Sequence, residues 1–176
     1  GVTHDTRWVT PFPLFMTHGK GPYKWDVDNN KINDFVMGHG SMILGHAHPD
    51  VVSAVQEAAS RGSHLGGNTD QEMKWAQLVC DLVPAAEKVR FTMSGTEASL
   101  LAFRLARAYS EKTKLLKFRN NFHGWHDYSI LGEGRGMGGV PEAAKSTMIV
   151  TDPDLQTVEE ILSKDKDIAA VILEPS

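Results

Sequence analysis

Apolar and polar residues follow two different periods on either side of Ser94. From 89 to 93 every second residue is apolar, which is the alternation of a strand. From 98 to 109 apolar residues recur every three to four positions, as they do along one side of a helix. Ser94 lies three residues before Glu97, which is the spacing of a capping box. The pattern therefore predicts a strand over 88–93 that turns directly into a helix over 95–110.

The same periodicities predict the remaining elements. In chain order these are an irregular arm to Gly19, β-hairpin strands over 23–27 and 32–36, a helix from Pro49 to Arg61-Gly62, a helix from Thr69 to Pro84, strands over 114–118, 147–150 and 168–173, and a helix over 155–162. Met73 and Leu82 are expected on the buried side of the second helix.

In the second part of the chain, strands and helices alternate, which predicts parallel βαβ units with right-handed crossovers. The predicted fold class is therefore α/β: a three-layer domain with a mostly parallel sheet, preceded by the N-terminal arm and β-hairpin. The boundary is expected between Gly62 and Thr69. It gives an N-terminal part over 1–64 and a larger α/β part over 65–176.

The turn Ser94-Gly95-Thr96 is the leading candidate for a binding site. Ligands of open α/β sheets bind beyond the carboxyl ends of the strands, and this turn follows a predicted strand. Gly95 permits a tight turn, Thr96 adds a hydroxyl, and the first N–H groups of a helix have no partner within it. These features predict a cup for a phosphate or another dianion. An ordinary strand–helix turn with a good cap has the same residues, so the pattern alone leaves both interpretations open.

Several motifs in a fixed order resemble those of the class III aminotransferases. They are Gly21-Pro22-Tyr23-Lys24-Trp25-Asp26-Val27-Asp28, Leu44-Gly45-His46-Ala47-His48-Pro49, Ser94-Gly95-Thr96-Glu97-Ala98, Arg104-Leu105-Ala106-Arg107, Lys117-Phe118, Phe122-His123-Gly124 and Leu173-Glu174-Pro175. The resemblance runs over nearly the whole chain, and it is strongest to the glutamate-1-semialdehyde aminomutase branch. It implies the fold-type-I architecture of enzymes that use pyridoxal 5′-phosphate (PLP), with this chain carrying the N-terminal arm and the first part of the large, cofactor-binding domain.

The resemblance also implies how PLP is bound. The Ser94-Gly95-Thr96 turn binds the phosphate through the N–H groups of its last two residues and the threonine hydroxyl. Phe122 lies flat against the pyridine ring, with packing in the core as its alternative, and His123 lies near the same ring. Glu174 follows the last strand and faces the cofactor crevice, where it hydrogen-bonds loop or cofactor groups; the alternative is a surface glutamate.

Three positions depart from the pattern of the family. Met93 stands where the family usually has Asn, so a hydrogen bond from that side chain is lost. Phe122 stands where Tyr is common, so the stacking face is kept and the hydroxyl is absent. His39 stands where the aminomutases commonly have Trp. If His39 lines the substrate pocket, as the resemblance implies, a flat apolar wall has become polar and titratable, and the substrate is expected to differ from glutamate semialdehyde.

Composition bounds the class of protein and its partners. The formal net charge of −4 and a pI near 6.1 give no support to a nucleic-acid partner. Cys80 is the only cysteine, which excludes an intrachain disulfide and favours a reducing, cytoplasmic compartment. No apolar run has the length of a membrane span. The expected partners are a small-molecule amino donor and acceptor, and the resemblance implies a homodimer.

Two other sites are weaker alternatives. His46 with His48, and His123 with His126 and Asp127, have spacings at which side chains bind metals, but no HExxH motif or cysteine partner accompanies them. The run 132–139 contains a G-x-G-x-x-G at Gly134, Gly136 and Gly139. It follows no clear strand, so a loop over the mouth of the site is a better interpretation than a dinucleotide fingerprint.

The lysine that binds the PLP aldehyde and the aspartate that pairs with the pyridine nitrogen have no counterpart in the motifs present. In the family both lie beyond the position of Ser176. The chain also begins without Met and ends directly after a predicted buried strand, so we expect the N-terminal portion of a PLP-dependent aminotransferase. Glutamate-1-semialdehyde 2,1-aminomutase itself, or a non-catalytic remnant that binds a phosphate ligand, are the alternatives.

Overall fold

A computed structural model describes residues 2–3, 7–132 and 138–175 of the protein. The chain divides into two compact units, Gly1–Asp70 and Gln71–Ser176. The domain boundary expected between Gly62 and Thr69 stays a prediction. None of the helices within the described ranges combines the length and the hydropathy that a bilayer span needs.

The N-terminal unit contains a three-stranded antiparallel sheet. Its strands are β1 (Met16–Lys20), β2 (Tyr23–Asp26) and β3 (Lys31–Asn33), in the order β1-β2-β3. The β2–β3 hairpin confirms the prediction, but the irregular arm predicted as far as Gly19 was wrong because its last residues form β1. Apart from Met16, β1 consists of polar residues and a glycine, so its extended form depends on pairing with β2 rather than on its own propensity.

The first helix, α1 (Pro49–Ser60), begins and ends where the sequence predicts. Pro49 occupies the first turn, where a missing N–H costs no helical hydrogen bond. After Arg61, Gly62 adopts φ of 115°, a conformation that favours glycine and ends the helix. None of the helix residues is buried.

The second unit contains a parallel sheet with helices between its strands. After α2 (Asp70–Leu82), which begins at the boundary, come α3 (Gly95–Ser110), β4 (Lys114–Phe118), α4 (Glu142–Lys145), β5 (Met148–Thr151), α5 (Leu155–Lys164) and β6 (Ile168–Ile172). The strand order is β5-β4-β6, and both pairings of the central strand β4 are parallel. The predicted α/β class with parallel βαβ units is confirmed.

The core of the second unit forms between α3, the central strand and the segments that precede β5. Leu115 and Leu116 on β4 are 1% and 0% exposed. The residue of α3 that joins this core is Phe103, whereas Leu105 and Tyr109 of the predicted apolar stripe are exposed. Apolar residues extend around much of α3, so periodicity predicted the helix but not its buried side. The cluster comprises Phe103, Leu115, Leu131, Val140, Ala144 and Met148.

Two further expectations were wrong. Residues 88–93 form no strand, although Phe91 stacks on Trp75 of α2 with ring centroids 3.6 Å apart. A strand needs a neighbour that accepts and donates backbone hydrogen bonds, and no described strand pairs with these residues. Met73 and Leu82 of α2 are 67% and 71% exposed rather than buried, because no described element packs over that side of the helix.

Candidate functional site

The N-terminus of α3 has the predicted cap. Ser94 is extended, with φ of −154° and ψ of 161°, and its hydroxyl oxygen accepts a hydrogen bond from the Glu97 N–H at 3.2 Å. The Ser94 hydroxyl also lies 3.3 Å from a Glu97 carboxylate oxygen, to which it donates. These bonds fix the first turn of a 16-residue helix. The positive end of the helix dipole therefore has a defined position and direction.

The next two amides at this helix end are available to a ligand. No described group accepts a hydrogen bond from the N–H of Gly95 or of Thr96. A Cβ built on Gly95 meets no atom within 4 Å, so open space lies beside this residue. Unpaired N–H groups at a helix N-terminus attract anions, and the geometry therefore suits a phosphate group.

The loop after β4 packs directly against this helix end. Gly124 has φ of 100°, and a Cβ built on it would lie 2.7 Å from the Thr96 hydroxyl oxygen and 2.8 Å from the Thr96 Cα. Only a glycine permits this close approach, because both the space and the backbone conformation exclude a side chain. The loop that carries Phe122 and His123 thus lies beside the open amides of α3.

The carboxyl end of β6 is joined to the same loop. The Phe122 N–H donates to a carboxylate oxygen of Glu174 at 3.2 Å. In return, the Glu174 N–H donates to the side-chain oxygen of Asn121 at 2.9 Å. Glu174 was expected to hydrogen-bond either the loop or the cofactor, and the structure shows it bonded to the loop. Phe122 itself is 57% exposed, so its ring is not part of the core.

His123 has a ring nitrogen that is buried without a protein partner. Its Nε2 has no hydrogen-bond partner among the described residues. Burial lowers the pKa of His123, the nearby Lys117 ammonium lowers it further, and Glu174 opposes both effects. The ring is therefore neutral at physiological pH, with one nitrogen available to a ligand.

Sequence reasoning missed a set of buried polar residues behind the loop. Ser99 on α3 donates to the His123 carbonyl at 2.6 Å, and Ser129 donates to the Gly124 carbonyl at 2.6 Å. Lys117 on β4 is 0% exposed, and its ammonium donates to the Ser129 carbonyl. The available signal was Lys117 itself, a charge inside the apolar run of a central strand, because buried ammonium groups require partners.

Other predicted residues lie elsewhere or outside the described ranges. His39 belongs to the N-terminal unit and has φ of 58°. Met93, which replaces the usual Asn of the family, is 93% exposed. The glycine-rich loop was expected over 132–139, and its residues 133–137 lie outside the described residues.

The histidines considered as metal ligands have other surroundings. His46 Nε2 lies 2.7 Å from an Asp34 carboxylate oxygen, and His126 Nε2 lies 3.1 Å from the Ser99 hydroxyl. Within the described part of the chain, no group of three or more His, Cys, Asp and Glu side chains has a geometry that would hold a metal ion.

The fold and the arrangement of these residues are typical of α/β proteins in which ligands bind beyond the carboxyl ends of parallel strands. A family model for the class III aminotransferases matches residues 5–176. The chain belongs to this family, whose enzymes depend on PLP.

Individual relatives agree with this assignment. A glutamate-1-semialdehyde 2,1-aminomutase of Syntrophomonas wolfei is 43% identical over 173 residues, which cover 93% of this chain and 40% of that protein. The solved structure of an omega-transaminase from Sphaerobacter thermophilus matches with a TM-score of 0.94 at 30% identity, covering 99% of this chain and 43% of the other. A glutamate-1-semialdehyde aminomutase from Pseudomonas aeruginosa matches with a TM-score of 0.80 at 28% identity, covering 96% and 39%. The chain therefore spans about two fifths of the length of these relatives.

Proposed function

We propose that this chain supplies the phosphate cup and the ring-binding wall of a PLP-dependent aminotransferase. The observation that carries the proposal is the open end of α3, where the N–H groups of Gly95 and Thr96 have no partner among the described residues and open space lies beside Gly95. A phosphate dianion at this position gains charge-assisted hydrogen bonds and the favourable end of the helix dipole. Ser94 contributes indirectly, because its hydroxyl holds the first turn of the helix in place.

The pyridine ring of PLP has a matching surface in the adjacent loop. Phe122 offers an exposed aromatic face, and such rings stack in offset geometry on other aromatic rings. His123 keeps a neutral imidazole with an unpartnered nitrogen in the same loop. Glu174 supports the wall by accepting a hydrogen bond from the Phe122 backbone, so we assign its carboxylate to the loop rather than to the cofactor.

PLP, when bound, supplies an aldehyde that reacts with amines and a ring that withdraws electrons from the reacting carbon. The residues of this chain bind and orient that group. Gly95 and Thr96 would hold its phosphate and Phe122 would contact one face of its ring, while Ser99 and Glu174 hydrogen-bond the loop that carries Phe122. No residue of this chain is assigned to the lysine or aspartate functions that PLP chemistry also requires.

The proposed reaction moves an amino group from a small amino compound to a keto acid or an aldehyde. The greater structural likeness to an omega-transaminase, with a TM-score of 0.94 against 0.80 for an aminomutase, supports transfer between two molecules. The 43% identity to an aminomutase supports rearrangement within one molecule. The two reactions are distinguished by incubating the full-length protein with glutamate-1-semialdehyde and, separately, with amine donors and pyruvate. Turnover of the semialdehyde alone would contradict the transaminase assignment.

We also propose that His39 contacts the substrate and that the full-length protein is a cytoplasmic homodimer. The first proposal rests on the resemblance to the aminomutases, in which His39 stands where Trp is common, and the compartment rests on the single cysteine. Light scattering after size exclusion measures the mass in solution, and a monomer would contradict the dimer.

The Thr96→Val variant of the full-length protein tests the phosphate cup. It removes the hydroxyl and keeps the shape of the side chain beside Gly124. We expect PLP to bind about 10- to 150-fold more weakly, because a hydrogen bond to a charged group contributes about 1.5–3 kcal/mol. Thr96→Ser keeps the hydroxyl and is the matched control. Equilibrium titration with PLP gives the affinities, and unchanged binding by Thr96→Val would contradict the assignment of the cup.

A further inference from the structure

Two adjacent backbone carbonyls of the Phe122–Gly124 loop, the proposed ring-binding loop, accept hydrogen bonds from serine side chains of different segments. The His123 carbonyl accepts from Ser99, which lies in the second turn of α3, and the Gly124 carbonyl accepts from Ser129, which follows the loop. Both distances are 2.6 Å, and Ser129 is completely buried. Of these two serines, Ser99 lies on α3, the helix whose first N–H groups are open, and Ser129 does not. It therefore joins the loop to the helix that forms the cup.

The Ser99 hydroxyl has more neighbours than it has protons. Its oxygen lies 2.6 Å from the His123 carbonyl, 3.0 Å from the Thr96 carbonyl and 3.1 Å from His126 Nε2. A hydroxyl donates one hydrogen bond and accepts two. Two oxygens at 2.6 Å require a proton between them, so this proton points to His123. The His126 Nε2 must then donate, and the hydrogen bonds run from His126 through Ser99 to the His123 carbonyl.

The other ring nitrogen of His126 is consistent with this direction. Nδ1 is buried and has no partner among the described residues. A second proton there would create a buried N–H without an acceptor, which is costly. Burial lowers the pKa of His126; Asp127 opposes this effect, while Arg107 and Lys117 add to it. The neutral imidazole with its proton on Nε2 is thus the favoured form.

We infer that Ser99 and His126 are positioning residues, and that their two consecutive hydrogen bonds set the backbone of Phe122–Gly124, and with it the Phe122 ring, against the first turn of α3. The inference rests on the proposed function, because the position of the Phe122 ring matters only if a pyridine ring binds against it. It predicts that binding of the pyridine ring depends on Ser99 while binding of the phosphate does not. The open amides of Gly95 and Thr96 are backbone groups that a change at Ser99 leaves in place.

The experiment compares two probes, PLP and inorganic phosphate, on the full-length protein. Ser99→Ala is expected to weaken PLP binding about 3- to 10-fold, the range for loss of one hydrogen bond, and to leave the inhibition constant of phosphate as a competitor unchanged. Ser99→Thr keeps the hydroxyl and is expected to restore PLP binding. Ser110→Ala is the matched control, because Ser110 lies on the same helix and donates only to the Ala106 carbonyl. A general loss of structure would weaken both probes together and would contradict the inference.

A second pair of variants and a spectroscopic measurement test the role of His126 independently of Ser99. His126→Gln retains an N–H donor and is expected to keep more PLP affinity than His126→Phe. Nitrogen-15 NMR of the imidazole is expected to show a protonated Nε2 and an unprotonated Nδ1 at pH 7. A charged ring, or the opposite tautomer, would overturn the inference. If the wild type binds PLP and Ser99→Ala binds it equally well, this inference fails alone; if the wild type binds no PLP, the proposed function fails.

Discussion

At the scale of residues, buried polar side chains join segments that are distant in sequence. Asp34 in the N-terminal unit is the clearest case. Its carboxylate accepts from Lys24 Nζ at 3.0 Å, from His46 at 2.7 Å, and from the backbone N–H groups of Val36 and Met37 at 3.1 and 3.2 Å. One side chain therefore fixes the β2 strand, the loop after β3 and the segment that leads to α1.

Asp34→Asn is expected to destabilise the N-terminal unit in a pH-dependent way. Hydrogen bonds from His46 and then Lys24 hold the pKa of Asp34 well below its usual range, against the opposing effect of burial. A carboxyl whose pKa is depressed in the folded state stabilises that state above its unfolded pKa of about 4, and loses this effect as the pH falls towards the folded value. The difference in stability between wild type and variant should thus be full at pH 7 and shrink below about pH 4.

Thermal unfolding of the full-length protein at a series of pH values measures this difference. Asp28→Asn is the control, since Asp28 is exposed in the same unit. A difference that stays constant from pH 7 to pH 3 would show that Asp34 does not act through its charge.

Local spacing made one part of the residue-level chemistry predictable and left another part hidden. The pair Ser94 and Glu97 lies within one helical turn, so a capping box is visible from the sequence alone. Ser99 and His126 are 27 positions apart, and their contact exists only after the loop has folded back onto α3. Partners that are distant in sequence leave no periodic signal in a single chain.

At the scale of elements, α3 and the Phe122–Gly124 loop meet at the proposed cofactor site. Two glycines lie at this junction in opposite circumstances. A Cβ on Gly124 would collide with Thr96, and its φ of 100° excludes most side chains, whereas a Cβ on Gly95 meets nothing within 4 Å. The same substitution should therefore have different effects at the two positions.

Gly124→Ala is expected to lower both stability and PLP affinity, whereas Gly95→Ala is expected to lower PLP affinity alone. Strain at Gly124 costs about 1–3 kcal/mol, and the collision separates the loop from α3. At Gly95 the backbone accepts alanine, and the added methyl group occupies the space that a phosphate needs, which should weaken PLP about fivefold or more. Chemical denaturation and PLP titration measure the two quantities separately. Equal PLP affinity in Gly95→Ala and wild type would place the phosphate elsewhere.

Periodicity predicted most elements of this chain, and its failures have a common cause. The four longer helices and the parallel strands were found because their apolar spacing is local, whereas the four-residue helix α4 was not predicted. The strand expected over 88–93 is absent, and β1 was missed, because each depends on whether a neighbouring strand is present to pair with it. The buried side of α3 was likewise undetermined, since a helix with apolar residues around most of its circumference has no single preferred face.

At the scale of the whole molecule, this chain matches only part of the length of its relatives. It covers 40% of the length of an aminomutase and 43% of an omega-transaminase. In the N-terminal unit, an apolar groove of about 410 Å³ is lined by residues of 41–48 and by Val51, Val52 and Val55 of α1, and the lining residue Ile43 is 88% exposed. No residue of α1 or α2 is buried. Experiments on PLP binding therefore belong to the full-length protein.

The most direct test of the account is a crystal structure of the full-length protein with PLP. We expect the PLP phosphate oxygens to lie about 2.7–3.2 Å from the backbone nitrogens of Gly95 and Thr96, the usual range for such hydrogen bonds. One face of the pyridine ring should lie on Phe122. A phosphate bound away from the α3 N-terminus, or a ring without contact to Phe122, would contradict the central claim that this turn and this loop form the cofactor site.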